Sequence, residues 1–252
     1  MFVHDRVIGR VRVAFTHRHG GVSTGPWSSL NLAAGVRGEA DDDHDSAAAV
    51  SANLTRLAET FGVSEREVLT MRQVHGRDVV VVGRAAVGAA PPAADGLVTR
   101  TPGLVLLARA ADCVPVAIAD RARGLAGVAH SGRAGTQAGV VTVAVDALRD
   151  LGAAELEAWI GPRVCGACYE VPGWMRDQVA AVEPATWSTT RAGTPGLDLA
   201  GGVREQLDRA GVVVHDLADE RNVCTMECDD FFSHRRQGTR SGRMGVLVQV
   251  QP

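Results

Sequence analysis

The chain has no lysine: all 26 basic residues among its 252 are arginine. Mechanisms that need a Schiff-base lysine or the lysine of a P-loop are therefore excluded. Any anion must be held by arginine or by backbone N–H groups, and the planar guanidinium suits phosphate. An excess of positive charge is also absent. The formal net charge of -3 offers no electrostatic footprint for nucleic acid or an anionic membrane. No apolar run approaches the roughly 18 residues of a membrane span. The first seven residues, Met1 to Val7, carry charges where a signal peptide needs an apolar core. A cytoplasmic location is expected.

Cysteine is scarce and odd in number, with five in the chain, so a disulfide framework is not expected. Cys165 and Cys168 have the spacing of half a zinc site. The spacing of Cys224 and Cys228, and the long gap between the pairs, do not complete the pattern. These cysteines are expected to be small buried or loop residues. What is present is ordinary for a soluble globular protein, with 46% hydrophobic and 22% charged residues. The length fits one large domain or two small ones.

Residues 6 to 15 alternate like a strand. Residues 38 to 46 are acidic and polar and predict an exposed loop. A helix follows from Ala47 to Phe61, with Gly62 as its stop. Val79 to Val82 predicts a short strand, and residues 85 to 94, rich in alanine and proline, a surface loop. Residues 97 to 119 predict central strands. Helices are expected over 135–151, 172–182 and 199–210. Trp159 to Pro162 marks a strand end, and Met244 to Val250 a closing strand. Strands and helices mix without a regular βαβ rhythm or an internal repeat. The expectation is one α/β domain over residues 1–252, with a mixed sheet or two packed sheets flanked by helices.

The chemistry concentrates around Cys113. It precedes the apolar run Val114 to Ala119, and a polar break at Asp120 to Gly124 leads to a second run ending at His130. Two strands joined by a tight turn return His130 to the level of Cys113. A thiol beside an imidazole suits a soft or borderline metal, or a nucleophile and its base. His75, in Gln73-Val74-His75-Gly76, is a third candidate ligand at the border of an apolar segment.

These stretches closely resemble the YfiH/YlmD family, also described as laccase-domain or polyphenol-oxidase-like. The matching pieces run in order along nearly the whole chain. They include Arg18-His19-Gly20-Gly21-Val22-Ser23, Ser29-Leu30-Asn31-Leu32, Gln73-Val74-His75-Gly76, Ala94-Asp95-Gly96-Leu97-Val98-Thr99, Ala111-Asp112-Cys113-Val114-Pro115, His130-Ser131-Gly132, Tyr169-Glu170-Val171, Cys224-Thr225 and Phe231-Phe232-Ser233-His234-Arg235-Arg236. The resemblance implies a single-domain α/β/β/α layered sandwich, distantly similar to cysteine-histidine deamidases. It implies a zinc ion held by His75, Cys113 and His130. It also implies phosphorolysis of adenosine, inosine, guanosine and methylthioadenosine, with adenosine deaminase activity. The partners are then a small nucleoside and phosphate, in a monomer or homodimer. An older label for the family implies a copper polyphenol oxidase instead, but eight histidines are few for a multicopper centre. A third reading is a Cys113–His130 hydrolase of a cell-wall precursor.

Zinc with three protein ligands keeps an open position and lowers the pKa of its water to about 7. Asp112 is the adjacent carboxylate that would move a proton in a deamination. Arg18, Arg72, Arg133, Arg235, Arg236 and Arg243 are candidates to clamp phosphate, with Arg18 and Arg235 favoured because they lie in matching motifs. Asn31 and Gln73 are candidates for ribose hydroxyls or purine edges. Two departures from the family pattern bear on substrate choice. Arg133-Ala134 stands where Trp-Arg is usual, and His234 where tyrosine is usual.

Overall fold

Alternation over the first sixteen residues folds into a hairpin rather than the single strand expected over 6–15. β1 (Phe2–Ile8) turns at Gly9, whose φ of 56° is left-handed, and returns as β2 (Val11–Thr16). Period-two alternation is blind to such a turn because both arms keep one face inward. The structure is a computed structural model, and it describes residues 1–33 and 44–252. Most of the loop expected over 38–46 lies outside the described residues.

The remaining elements follow in order. They are α1 (Ala47–Phe61), β3 (Val68–Leu69), β4 (Val79–Val81), β5 (Gly96–Thr99), β6 (Val105–Ala110), β7 (Val114–Asp120) and β8 (Leu125–Ser131). Then come α2 (Arg133–Ala138), α3 (Val140–Asp150), β9 (Glu157–Ile160), α4 (Gly173–Ala180), β10 (Trp187–Thr189) and β11 (Pro195–Leu197). The chain ends with α5 (Leu199–Arg209), β12 (Val213–Asp216), α6 (His234–Gln237) and β13 (Met244–Val250). The single helix expected over 135–151 is two. Gly139, at φ 77°, caps α2 and starts α3, a conformation that costs glycine least.

Two sheets stack face to face. One has the order β1-β2-β13-β6-β3 and the other β12-β9-β7-β8-β5-β4. Both are mixed, since β3–β6, β4–β5 and β9–β12 are parallel and the other pairs antiparallel. Val13, Phe15, Leu106 and Val248 from the first sheet meet Leu97, Ala117, Val128 and Trp159 from the second in the core between them. Outside the first sheet, Leu57 and Phe61 of α1 cover Ala14, Leu107 and Leu247. Outside the second, α3 and α5 cover Val116, Ile118 and Ala158. The layers are α/β/β/α, as the family resemblance implied, and of the two arrangements left open by the residues it is the packed pair of sheets that forms. Strands that are buried on both faces explain why 97–119 reads as nearly unbroken apolar sequence.

The β7–β8 hairpin fixes the site. It pairs Pro115 with His130 and closes at Asp120 opposite Leu125. The Asp120 carboxylate accepts from the N–H groups of Ala122 and Arg123, which holds the turn. β5 lies on the other side of β8, pairing Gly96 with Ala129. Asp95, Cys113 and His130 therefore emerge at one end of the second sheet.

Leu106 is fully buried between the sheets. Its replacement by alanine removes apolar contact and leaves a cavity, so Leu106→Ala is expected to destabilise the fold by about 2–5 kcal/mol. A lowered urea midpoint with an unchanged slope is the outcome that checks it.

Candidate metal centre

Three side chains converge at that sheet end. The donor atoms of His75, Cys113 and His130 all lie within 4.8 Å of one another. The rings of His75 and His130 meet edge to face at 4.9 Å between centroids. His130 sits on β8, Cys113 just before β7, and His75 in the loop between β3 and β4. Gly132 makes room for them. A Cβ there would stand 2.9 Å from Cδ2 of His75 and 3.0 Å from Sγ of Cys113.

His75 reaches the cluster through an unusual backbone, with φ 59°. For a non-glycine residue that conformation is costly and needs outside support. Asp95 supplies it. Its fully buried carboxylate accepts hydrogen bonds from the N–H groups of Val74, His75 and Gly76, at 3.1, 3.0 and 2.7 Å. The same carboxylate lies 2.9 Å from Nδ1 of His130. That leaves Nε2 of His130 as the nitrogen facing the cluster. A carboxylate behind a histidine in this way fixes ring orientation in metal sites. Asp95 was quoted in the sequence motif but given no role. The available signal was an acid directly preceding a buried strand.

The electrostatics follow from these contacts. Burial alone would lower the His130 pKa, but its hydrogen bonds to Asp95 and Cys113 outweigh that and raise it to about 9. Burial would raise the Cys113 thiol, but hydrogen bonds from His130 and His75 outweigh it and lower the pKa to about 6. In metal-free protein both shifts favour a thiolate beside an imidazolium. Two imidazoles and a thiolate suit a borderline divalent ion, and three protein donors are the number that leaves a coordination position open.

The cluster forms part of the wall of a cavity of about 670 Å³. Gln73, Asp112, Arg133 and Arg235, all singled out in the sequence, line it, as do Arg72, Arg243 and His234. Arg18 and Asn31 do not. Arg18 donates to the carbonyls of Ser28 and Pro26 and stacks over Phe232 at 4.5 Å. Asn31 is buried, donating to Asp45 and accepting from the N–H of Arg243. Arg236 is likewise turned to Asp229 and the Phe231 carbonyl. Membership of a motif does not by itself place a side chain in the cavity: Gln73 and Arg235 line it, while Arg18, Asn31 and Arg236 do not.

Within the cavity some side chains are already committed. The Gln73 amide exchanges both its hydrogen bonds with the backbone of Arg109, at 2.8 and 2.9 Å. Asp112 has φ 84°, and its oxygens accept from Thr225 Oγ1 at 2.5 Å and from the Arg235 N–H at 2.7 Å. That environment makes Asp112 an anchor. The Arg235 guanidinium stacks on Tyr169 at 4.5 Å and donates to the Glu170 carbonyl at 2.9 Å.

Arg109, absent from the sequence-based set, is the opposite case. It lines the cavity, is 7% exposed, and its buried Nε has no hydrogen-bond partner among the described residues. Burial lowers its pKa to about 10. A buried, uncommitted guanidinium is costly unless an anion completes it.

Residues 12–251 match the model of the multi-copper polyphenol oxidoreductase laccase family. The chain belongs to this laccase family. Similar curated proteins carry another activity in their names. A purine nucleoside phosphorylase of Streptomyces griseus is 46% identical over 96% of this chain and 95% of its own length. One of Streptomyces coelicolor is 48% identical over 93% of each. Among solved structures, YlmD of Geobacillus stearothermophilus superposes with a TM-score of 0.81 at 30% identity, over 96% of this chain and 93% of that one. The Neisseria meningitidis protein NMB0706 reaches 0.83 at 29% identity, over 100% and 99%. The YfiH/YlmD resemblance read from the motifs is thus correct.

The lowered Cys113 pKa has a direct readout. In chelator-treated protein, alkylation of Cys113, followed by peptide mass spectrometry, is expected to rise with a midpoint near pH 6. Asp95→Asn weakens the imidazolium that holds the thiolate, so it should move the midpoint upward. An ordinary cysteine midpoint, near pH 8.5 in wild type, would contradict the assigned contacts.

Proposed function

We propose that the chain acts as one catalytic domain over residues 1–252 and is a zinc-dependent purine nucleoside phosphorylase. It takes adenosine, inosine, guanosine and methylthioadenosine, and also deaminates adenosine. The observation that carries this reading is the meeting, in one cavity, of the His75–Cys113–His130 donor set with the uncommitted Arg109 guanidinium. The cavity volume falls within the range of about 300–1,000 Å³ typical of small-molecule sites. The names of the Streptomyces relatives supply the reaction class.

His75, Cys113 and His130 would hold the zinc, which when bound supplies Lewis-acid polarisation of a ligand atom. The chain's own residues bind and orient. Phosphorolysis brings a phosphate oxygen to the ribose C1′ while the C1′–N9 bond breaks and its electron pair leaves with the purine. Arg109 is assigned to phosphate, because it alone of the cavity arginines combines deep burial with an unpartnered Nε among the described residues. Arg133 extends the cationic wall from the start of α2. Arg235, held in place by Tyr169, Glu170 and Asp112, presents a fixed edge to the nucleoside. Asp112 is assigned to positioning Arg235 rather than to moving a proton, since both its oxygens are engaged.

Purified protein incubated with adenosine and phosphate is expected to yield adenine, ribose 1-phosphate and inosine. Cys113→Ala should abolish all three. No product at full zinc occupancy, or stoichiometric copper in untreated protein, would overturn the reading. Arg109→Gln is expected to raise the KM for phosphate about 10-fold or more, as for a lost charge-assisted contact. The KM for nucleoside should change less. Equal changes in both would remove Arg109 from the phosphate site.

One observation favours a second reading. Asp95, His130 and Cys113 are also arranged as orienter, base and nucleophile of a cysteine hydrolase. Amide hydrolysis that survives chelation and is abolished by alkylation of Cys113 would select it.

A further inference from the structure

A second group of metal-ligating side chains lies outside the cavity. The donor atoms of Cys165, Cys168, Cys224 and Glu227 all fall within 4.8 Å of one another. They come from two tight turns of the same form. In the first, the N–H groups of Cys168 and Tyr169 both bond the Cys165 carbonyl at 3.0 Å. In the second, the N–H groups of Glu227 and Cys228 bond the Cys224 carbonyl at 3.1 and 2.9 Å. Each turn therefore presents donors three residues apart on one side. The pattern is Cys-x-x-Cys facing Cys-x-x-Glu.

The two turns are locked together by the backbone. Arg163 and Cys224 form a parallel bridge. The Cys165 N–H points at Sγ of Cys224 at 3.5 Å. Below it, Arg163 makes a buried two-pronged ion pair with Asp216 at 2.5 and 2.7 Å. The donors are thus held together by backbone bonds and by contacts among themselves, Cys168 Sγ lying 3.2 Å from Oε1 of Glu227. Cys228, the residue that completes a four-cysteine count in the sequence, is absent from the group, and Glu227 takes its place.

We propose that Cys165, Cys168, Cys224 and Glu227 form a second, structural zinc site, independent of the catalytic reading. Paired turns with two-residue gaps are the usual scaffold of closed, tetrahedral zinc sites rich in thiolate. Sulfur donors around zinc stand about 2.3 Å from the ion, so tetrahedral neighbours lie within the separation seen here. Three thiolates and a carboxylate around a divalent ion leave two excess negative charges. Arg191 is positioned to offset one, with Nη1 3.0 Å from Sγ of Cys168 and in contact with Glu227.

The site has a place in the architecture. Val164 donates to the Asp112 carbonyl at 3.0 Å, Thr225 bonds the Asp112 carboxylate, and Tyr169 lines the cavity. Zinc at the two turns would pin together the segments that carry this part of the cavity wall.

The test uses the full chain carrying Cys113→Ala, which disables the first site and leaves the second. Purified protein is expected to retain about one zinc per chain, and its cobalt-substituted form should show intense thiolate charge-transfer absorption. Cys165, Cys168 and Cys224 should resist alkylation until a chelator is added, while Cys228 reacts at the same rate with and without it. Cys165→Ser with Cys168→Ser in the Cys113→Ala background should lose the remaining zinc. If Cys113→Ala contains no zinc, or its three cysteines alkylate equally fast before and after chelation, the second site is refuted. A Cys165–Cys168 disulfide in the purified protein would refute it as well. None of these outcomes bears on whether wild type phosphorolyses nucleosides.

Discussion

A single buried carboxylate organises the cavity end of the second sheet. Asp95 accepts three consecutive backbone N–H groups and faces an imidazole. Removing it would leave those donors unsatisfied, release the left-handed turn at His75, and free the His130 ring to rotate. The geometry of the candidate ligand set therefore depends on a residue outside that set. Hydrogen bonds to the charged form hold the Asp95 pKa down despite burial.

Asp112 has a corresponding function beside Cys113. It joins the residue before Cys113 to Thr225 and to the first turn of α6 at Arg235. Through Val164 it also touches the segment that leads to Cys165. Segments far apart in sequence are thus tied to the hairpin that carries Cys113 and His130. Both acids precede a buried strand, and both use their oxygens to fix backbone.

Much of this was legible in the residues. The β7–β8 hairpin could be read because a charged turn separates two apolar runs of equal length, and the layered fold because doubly buried strands have a distinctive composition. The turn at Gly9 and the break at Gly139 were hidden inside patterns that continue across them. Arg18 and Asn31 were placed at the site by their motifs, yet packing against Phe232 and Asp45 takes them elsewhere. Arg109 was invisible for the reverse reason. It sits in an apolar run where a sequence offers no hint that one guanidinium points into a cavity. The second cysteine group escaped because counting cysteines selected Cys228, whereas the turn geometry selects Glu227.

The presence of arginine and absence of lysine in the cavity wall have a consequence for its ionisation. An ordinary guanidinium keeps its charge throughout the range in which enzymes work. Even Arg109, the most shifted, stays protonated to about pH 10. The positive charge that the arginines offer to an incoming anion is therefore constant from mildly acidic to alkaline solution. Changes of charge in the cavity within that window come from groups such as His130 and Cys113, not from the arginines. A lysine-lined pocket would blur the two contributions. Here binding charge and chemical protonation are separated by residue type.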